Sequence, residues 1–242
     1  MNVSFFVTCI TDNILTNVGI KSVELLEKLG CTVIFNPGQT CCGQPLANAG
    51  YHKKAKKSMR VLINALLEDE CEYVVAPSGS CVLQVKEFPR FFKGEEAWES
   101  KAQRLAAKTF EITDFIVNVL KVTDVGAECH GRAAYHPSCH MSRLLGVKEP
   151  PLQLLKNVKG LELVPFKGQD KCCGFGGTFA VKMADLSGAM VAEKVHNIVD
   201  AGVDYVIGAD GACLMNINGR IRREGFAIKV YHIVEVLMMN GV

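Results

Sequence analysis

The tripeptide Cys41-Cys42-Gly43 returns 131 positions later as Cys172-Cys173-Gly174. Outward from each pair, an upstream cysteine (Cys9, then Cys139) and a downstream one (Cys81, then Cys213) recur with offsets of 130 and 132. Four thiols that keep nearly one offset across half a chain mark a duplicated unit that uses its thiols together. Deprotonated thiols are soft ligands suited to iron-sulfur clusters and to zinc, and both commonly take four. Cys9, Cys41, Cys42, Cys81, Cys139, Cys172, Cys173 and Cys213 are therefore the candidate metal- and cofactor-binding residues.

The segments between the cysteines carry the fold expectation. Residues 2–8 are rich in β-branched and aromatic side chains and predict a strand that delivers Cys9. Residues 14–29 have helical apolar spacing closed by Gly30, and residues 31–35 predict a second strand leading to the vicinal pair. A helix is expected over 50–67, with Met59, Leu62, Ile63 and Leu66 inward and Lys53, Lys54, Lys56, Lys57 and Arg60 outward as a solvated face. Tyr-Val-Val-Ala at 73–76 reads as a buried parallel strand and leads to Ser78-Gly79-Ser80-Cys81.

The second half repeats the order: a strand over 132–136 before Cys139, a helix over 143–157, a strand over 161–166 before Cys172, a helix over 182–201, and a strand over 205–208 before Asp210-Gly211-Ala212-Cys213. Residues 95–122 read as one or two connecting helices with the only tryptophan, Trp98, as a packing anchor. Residues 229–237 predict a strand and the start of a helix. The resulting expectation is an α/β chain of two tandem Rossmann-like parallel-sheet halves, residues 1–122 and 123–242, related by pseudo-twofold symmetry. Each half gathers its thiols at the carboxyl ends of its strands, the usual ligand edge of an open parallel sheet.

A length of 242 residues suits two domains of about 120. Hydrophobic content of 49% with 21% charged residues is that of an ordinary globular chain, and a net charge of +2 gives no reason to expect nucleic acid as a partner. No apolar run is long enough to span a bilayer, and the short apolar opening lacks a basic segment before it, so the expected location is the cytoplasm. Eleven cysteines in a chain with its own core and no export signal argue against a disulfide framework. Cys31, Cys71 and Cys129 lack repeat partners, and Cys31 and Cys71 read as small buried or semi-buried residues. Gly174-Phe175-Gly176-Gly177-Thr178 lacks the spacing of a phosphate loop, and its glycines suit close approach of backbone to a bulky group instead.

Phe5-Phe6-Val7-Thr8-Cys9, Cys41-Cys42-Gly43-Gln44-Pro45, Ser78-Gly79-Ser80-Cys81, Tyr135-His136-Pro137-Ser138-Cys139 and Cys172-Cys173-Gly174-Phe175-Gly176-Gly177-Thr178-Phe179 together resemble the CCG cysteine-rich domain. That domain occurs in the B subunit of heterodisulfide reductase, the iron-sulfur subunit of glycolate oxidase and bacterial lactate-utilization proteins. Over its whole length the chain is similar to the lactate utilization protein A family. The resemblance implies an electron-handling subunit, working with the other proteins of an L-lactate oxidation system, that carries one or two [4Fe-4S]-type iron-sulfur clusters.

The fuller motif of heterodisulfide reductase has a fifth thiol and holds a non-cubane cluster, whereas here Ser78 and Asp210 stand at the fifth position. Four thiols per half suit an ordinary four-ligand cluster. Asp210 is a secondary candidate oxygen ligand, although a loop aspartate after a strand more often caps a turn. His136 is a secondary candidate as well, with polar satisfaction at a strand end as the plainer reading. The alternatives of another class are a zinc-stabilised structural or assembly subunit and a thiol-based disulfide reductase.

Overall fold

Short apolar strands alternating with amphipathic helices bury both faces of a sheet only when the strands run parallel, each returning through a helical crossover. In the computed structural model, which describes residues 1–241, this happens twice. The chain divides into two compact units, Met1–Phe115 and the remainder from Ile116. In the first, β1 (Asn2–Phe5), β2 (Thr32–Ile34), β3 (Tyr73–Ala76) and β4 (Thr109–Glu111) form an all-parallel sheet in the order β2-β1-β3-β4. In the second, β5 (Glu128–His136), β6 (Lys159–Leu163), β7 (Tyr205–Gly208) and β8 (Lys229–His232) repeat it as β6-β5-β7-β8, again all parallel.

Helix His52–Glu68 presents Met59, Leu62, Ile63 and Leu66 to the first core, all fully buried. Its expected solvated face is only partly so. Lys53 and Lys57 are exposed, but Lys56 and Arg60 both grip Glu95, at 2.6 and 2.5 Å. The Arg60 guanidinium lies 5.3 Å from the Trp98 ring centre and 5.6 Å from that of Phe92, and those two rings stack at 5.9 Å. Trp98 is thus the anchor of the connection, held by cations that a helical wheel alone assigns to water.

The segment 95–122 differs from a purely helical connection. Helix Glu96–Lys108 is followed at once by β4, whose three residues pair with Val74, Val75 and Ala76. Three residues are too few to register an alternation, and pairing with β3 rather than local pattern makes them a strand. The helix expected over 143–157 is likewise interrupted. A π-helical turn, His140–Leu144, is separated from helix Glu149–Lys156 by Gly146 in the left-handed region, φ 82°, and the second helix opens on Pro150 and Pro151. Ahead of helix Ala184–Asp200, Met183 is half exposed.

At the carboxyl end of β4, the fully buried Glu111 caps the next turn. Its Oε2 accepts from the backbone N–H groups of Thr113 at 2.8 Å and Asp114 at 3.2 Å and from the Thr113 hydroxyl, while Oε1 has no partner. Burial pushes its carboxyl up to about 8 against the pull of these bonds. The folded chain therefore holds a proton here that the unfolded chain releases near 4.5. Stability falls as pH rises through that window, by up to about 1.4 kcal/mol per pH unit from this residue, and flattens above 8. Denaturant unfolding between pH 5 and 8 should show a shallower slope for Glu111→Gln than for the parent chain; equal slopes would refute the assignment.

Candidate metal centres

Every strand of the first sheet points the same way, so the loops after β1, β2 and β3 all leave from one edge. Cys9 opens helix Cys9–Asn13 after β1, Cys41 and Cys42 lie in the loop after β2, and Cys81 sits in the first turn of helix Gly79–Lys86 after β3. β1 lies between β2 and β3, so the set straddles the point where the strand order reverses, where open parallel sheets bind ligands. The four thiols converge. Cys9 Sγ donates to Cys41 Sγ at 3.6 Å, and Cys42 lies close enough to Cys41 and Cys81 for both to raise its thiol. The second unit forms the same chain of contacts from Cys139 through Cys172 and Cys173 to Cys213. Cys31, Cys71 and Cys129 are buried away from these chains.

Adjacent residues aim their side chains at one place only if the backbone bends. Gly43 and Gly174 supply the bend with φ of 79° and 82°. Both loops also press on the helix behind them. A Cβ at Gly43 would stand 3.2 Å from the Ala55 carbonyl oxygen, and one at Gly174 only 2.8 Å from that of Ser187. Hydrogen bonds fix the loop carbonyls: Ser58 Oγ donates to Cys41 O at 2.5 Å, Ser187 Oγ to Gly174 O at 2.8 Å, and Asn216 Nδ2 to Cys173 O at 2.8 Å. These tethers have no motif of their own in the sequence.

Within each set the second thiol is the acid. Hydrogen bonds from Cys42 and Cys9, with help from the Gly43 amide, hold Cys41 down to about 3 against its burial. Bonds from Cys139 and Cys173, the Gly174 N–H at 3.4 Å and the neighbouring His136 hold Cys172 down to about 2. The donors pay in the opposite direction: Cys9, Cys42, Cys139 and Cys173 are all pushed up, first by those same bonds and then by burial. A cluster of soft donors around a thiolate is the donor set that a thiolate-ligated metal centre requires. A cleft of about 240 Å³ lined by Cys9 and Cys41 opens on the first set, and one of about 350 Å³ lined by Cys172, Arg143 and Lys194 opens on the second.

The secondary candidates separate. Ser78 is a helix cap, its Oγ accepting from the Cys81 N–H at 3.4 Å. Asp210, buried, occupies the N-cap position of helix Gly211–Glu224 without a side-chain bond to the cap amides. His136 contradicts the expectation of a satisfied strand end. It is 1% exposed, neither ring nitrogen has a hydrogen-bond partner, and a ring nitrogen lies with the sulfurs of Cys173 and Cys213 in a group whose atoms are all within 4.8 Å of one another. Burial first, then the Lys194 charge, push its imidazole down to about 3.

Lys194 was not a sequence candidate. It is 2% exposed, donates to Gly168 O at 3.0 Å and Gln169 O at 3.2 Å, and lies over the Phe166 ring at 5.2 Å. The available signal was its place on the buried stripe of Ser187, Val191, Val195 and Ile198.

Two substitutions test these assignments. Gly174→Ala should destabilise the second unit by about 1 to 3 kcal/mol, since it combines a left-handed backbone with a backbone clash. Ser78→Ala should cost about 1 kcal/mol in denaturant unfolding while leaving the bound metal per chain unchanged; loss of metal would make Ser78 a ligand.

The model of the CCG cysteine-rich domain matches residues 3–86 and 133–218, one copy in each unit. Lactate utilization protein A of Geobacillus sp. (strain WCH70) is 58% identical over 237 residues, covering 98% of this chain and 99% of that protein. Lactate utilization protein A of Geobacillus kaustophilus (strain HTA426) is also 58% identical over 237 residues, covering 98% of each. No helix among the described residues is long and apolar enough to cross a membrane. With two copies of the domain, each carrying its converged thiols, and full-length identity at this level, the chain belongs to the lactate utilization protein A family.

Proposed function

We propose that the chain is an iron-sulfur electron-transfer subunit of a multi-protein system that oxidises L-lactate to pyruvate in the cytoplasm. The observation that carries this reading is the convergence of Cys9, Cys41, Cys42 and Cys81 in one unit and of Cys139, Cys172, Cys173 and Cys213 in the other. The name of the relatives supplies lactate, and the donor set supplies the cofactor class. Residues 1–122 and 123–242 are the two functional halves in this reading.

A bound cluster would supply one-electron transfer, which none of the side chains provides. The chain's own part is to hold four thiols in a preset arrangement and to keep one of them ionised. Burial of Cys42, Cys173 and Cys213 and the N–H of Gly174 on Cys172 adjust the polarity around the sulfurs. The clefts at Cys9 and Cys172 leave one side of each set open towards a partner subunit that binds lactate or accepts the electrons.

Anaerobic isolation followed by iron, zinc and acid-labile sulfide analysis tests the reading. Iron and sulfide in cluster proportion are expected, with Cys41→Ser and Cys172→Ser each removing the signal of one half and Cys172→Ser abolishing growth on lactate. Stoichiometric zinc without sulfide would instead make this a structural subunit, in which the metal contributes folding energy and no electrons pass.

A further inference from the structure

The two thiol sets are alike in sequence, but their surroundings are not. β5 pairs with β7 as β1 pairs with β3, Tyr135 opposite Ile207 and Phe5 opposite Val75, so the residue after each is equivalent: His136 in the second unit and Phe6 in the first. Both are buried, at 1% exposure. Phe6 fills its site with hydrocarbon. His136 puts two nitrogens in the equivalent place and gives neither a hydrogen bond. Leaving a polar group unpaired in a dry interior is costly, so the imidazole is there at a loss unless something outside the chain takes a nitrogen.

The positions of its neighbours say what. One ring nitrogen and the sulfurs of Cys173 and Cys213 lie within 4.8 Å of one another, so a metal centre seated on the two thiols is within reach of the imidazole. The other histidine near the set is placed differently. His140 is half-buried, and its Nδ1 is already engaged with Cys139 Sγ at 3.7 Å. Lys194, buried on the same side, is occupied by two backbone carbonyls and offers charge rather than a lone pair.

We propose that His136 is a direct nitrogen ligand of the second centre, so that the first unit binds through sulfur alone and the second through sulfur and one imidazole. The inference rests on the reading that the thiol sets hold a metal centre. An imidazole that takes the place of one thiolate removes negative charge relative to an all-thiolate centre, and the buried Lys194 cation acts in the same direction. The second centre is therefore the more readily reduced of the two.

The test needs no variant to begin. The anaerobically isolated full chain, produced with [15N]histidine, is examined by pulsed paramagnetic resonance of its reduced clusters. A strong coupling to one histidine nitrogen is expected, altered in proportion to the isotope. It should persist in Cys42→Ser, which removes the first centre, and in His140→Ala, and be lost in His136→Phe, the residue that Phe6 already shows to fit the equivalent site. A cluster signal from the second centre without histidine coupling, or a coupling that follows His140, overturns the proposal. If the metal is zinc, the electron-transfer reading fails, and the ligand assignment is read instead from X-ray absorption at the zinc edge of the Cys42→Ser chain. A nitrogen shell at about 2.0 Å beside sulfur at about 2.3 Å upholds it, and sulfur alone overturns it.

Discussion

Strand direction is the constraint on which each unit depends. When β1, β2 and β3 run parallel, the three loops that follow them have to emerge from one edge, and every residue placed just past a strand is delivered to the same neighbourhood. Cysteines 32 and 40 residues apart in the chain, Cys9 to Cys41 and Cys41 to Cys81, come into one neighbourhood, Cys9 hydrogen-bonded to Cys41 and Cys42 beside both Cys41 and Cys81, without any local motif drawing them together. An antiparallel arrangement would send alternate loops to opposite edges and split the set. The long crossovers are therefore what make widely spaced ligands usable, whereas compact metal motifs rely on closely spaced cysteines.

Much of this was legible before any coordinates, and the reasons differ by element. The buried runs of β3 and β7 could be bounded to the residue because each is a short apolar run that begins after an acidic residue and leads into a turn before a cysteine. The thiols could be grouped because duplication repeats spacing, and each set of four does come together. β4 escaped notice because a three-residue edge strand has no period and is defined by its neighbour. The break at Gly146 escaped because the apolar pattern continues across it while the backbone does not.

Around the sites, legibility follows whether a residue's task is local. Ser78 precedes a helix and caps it, a role that position along the chain announces. Asn216 reaches back 43 positions to the Cys173 carbonyl, and Lys194 turns inward to two loop carbonyls; both roles exist only once the crossover has closed. His136 is the opposite case. Its location at a strand end was predictable, but the absence of any partner for its nitrogens is a property of the packed interior, and it reverses the plain reading of a satisfied polar residue.

The tethers on the cysteine loops have a consequence for how the protein acquires its metal. Small zinc modules fold only when loaded, so their metal must supply the entropy of ordering the chain. Here Ser58, Ser187 and Asn216 already hold the Cys41, Gly174 and Cys173 carbonyls against helices that belong to the apolar core. The cysteine loops are ordered by hydrophobic burial and by these hydrogen bonds. In the proposed reading, metal uptake draws on ligand bonds and not on the ordering of the chain.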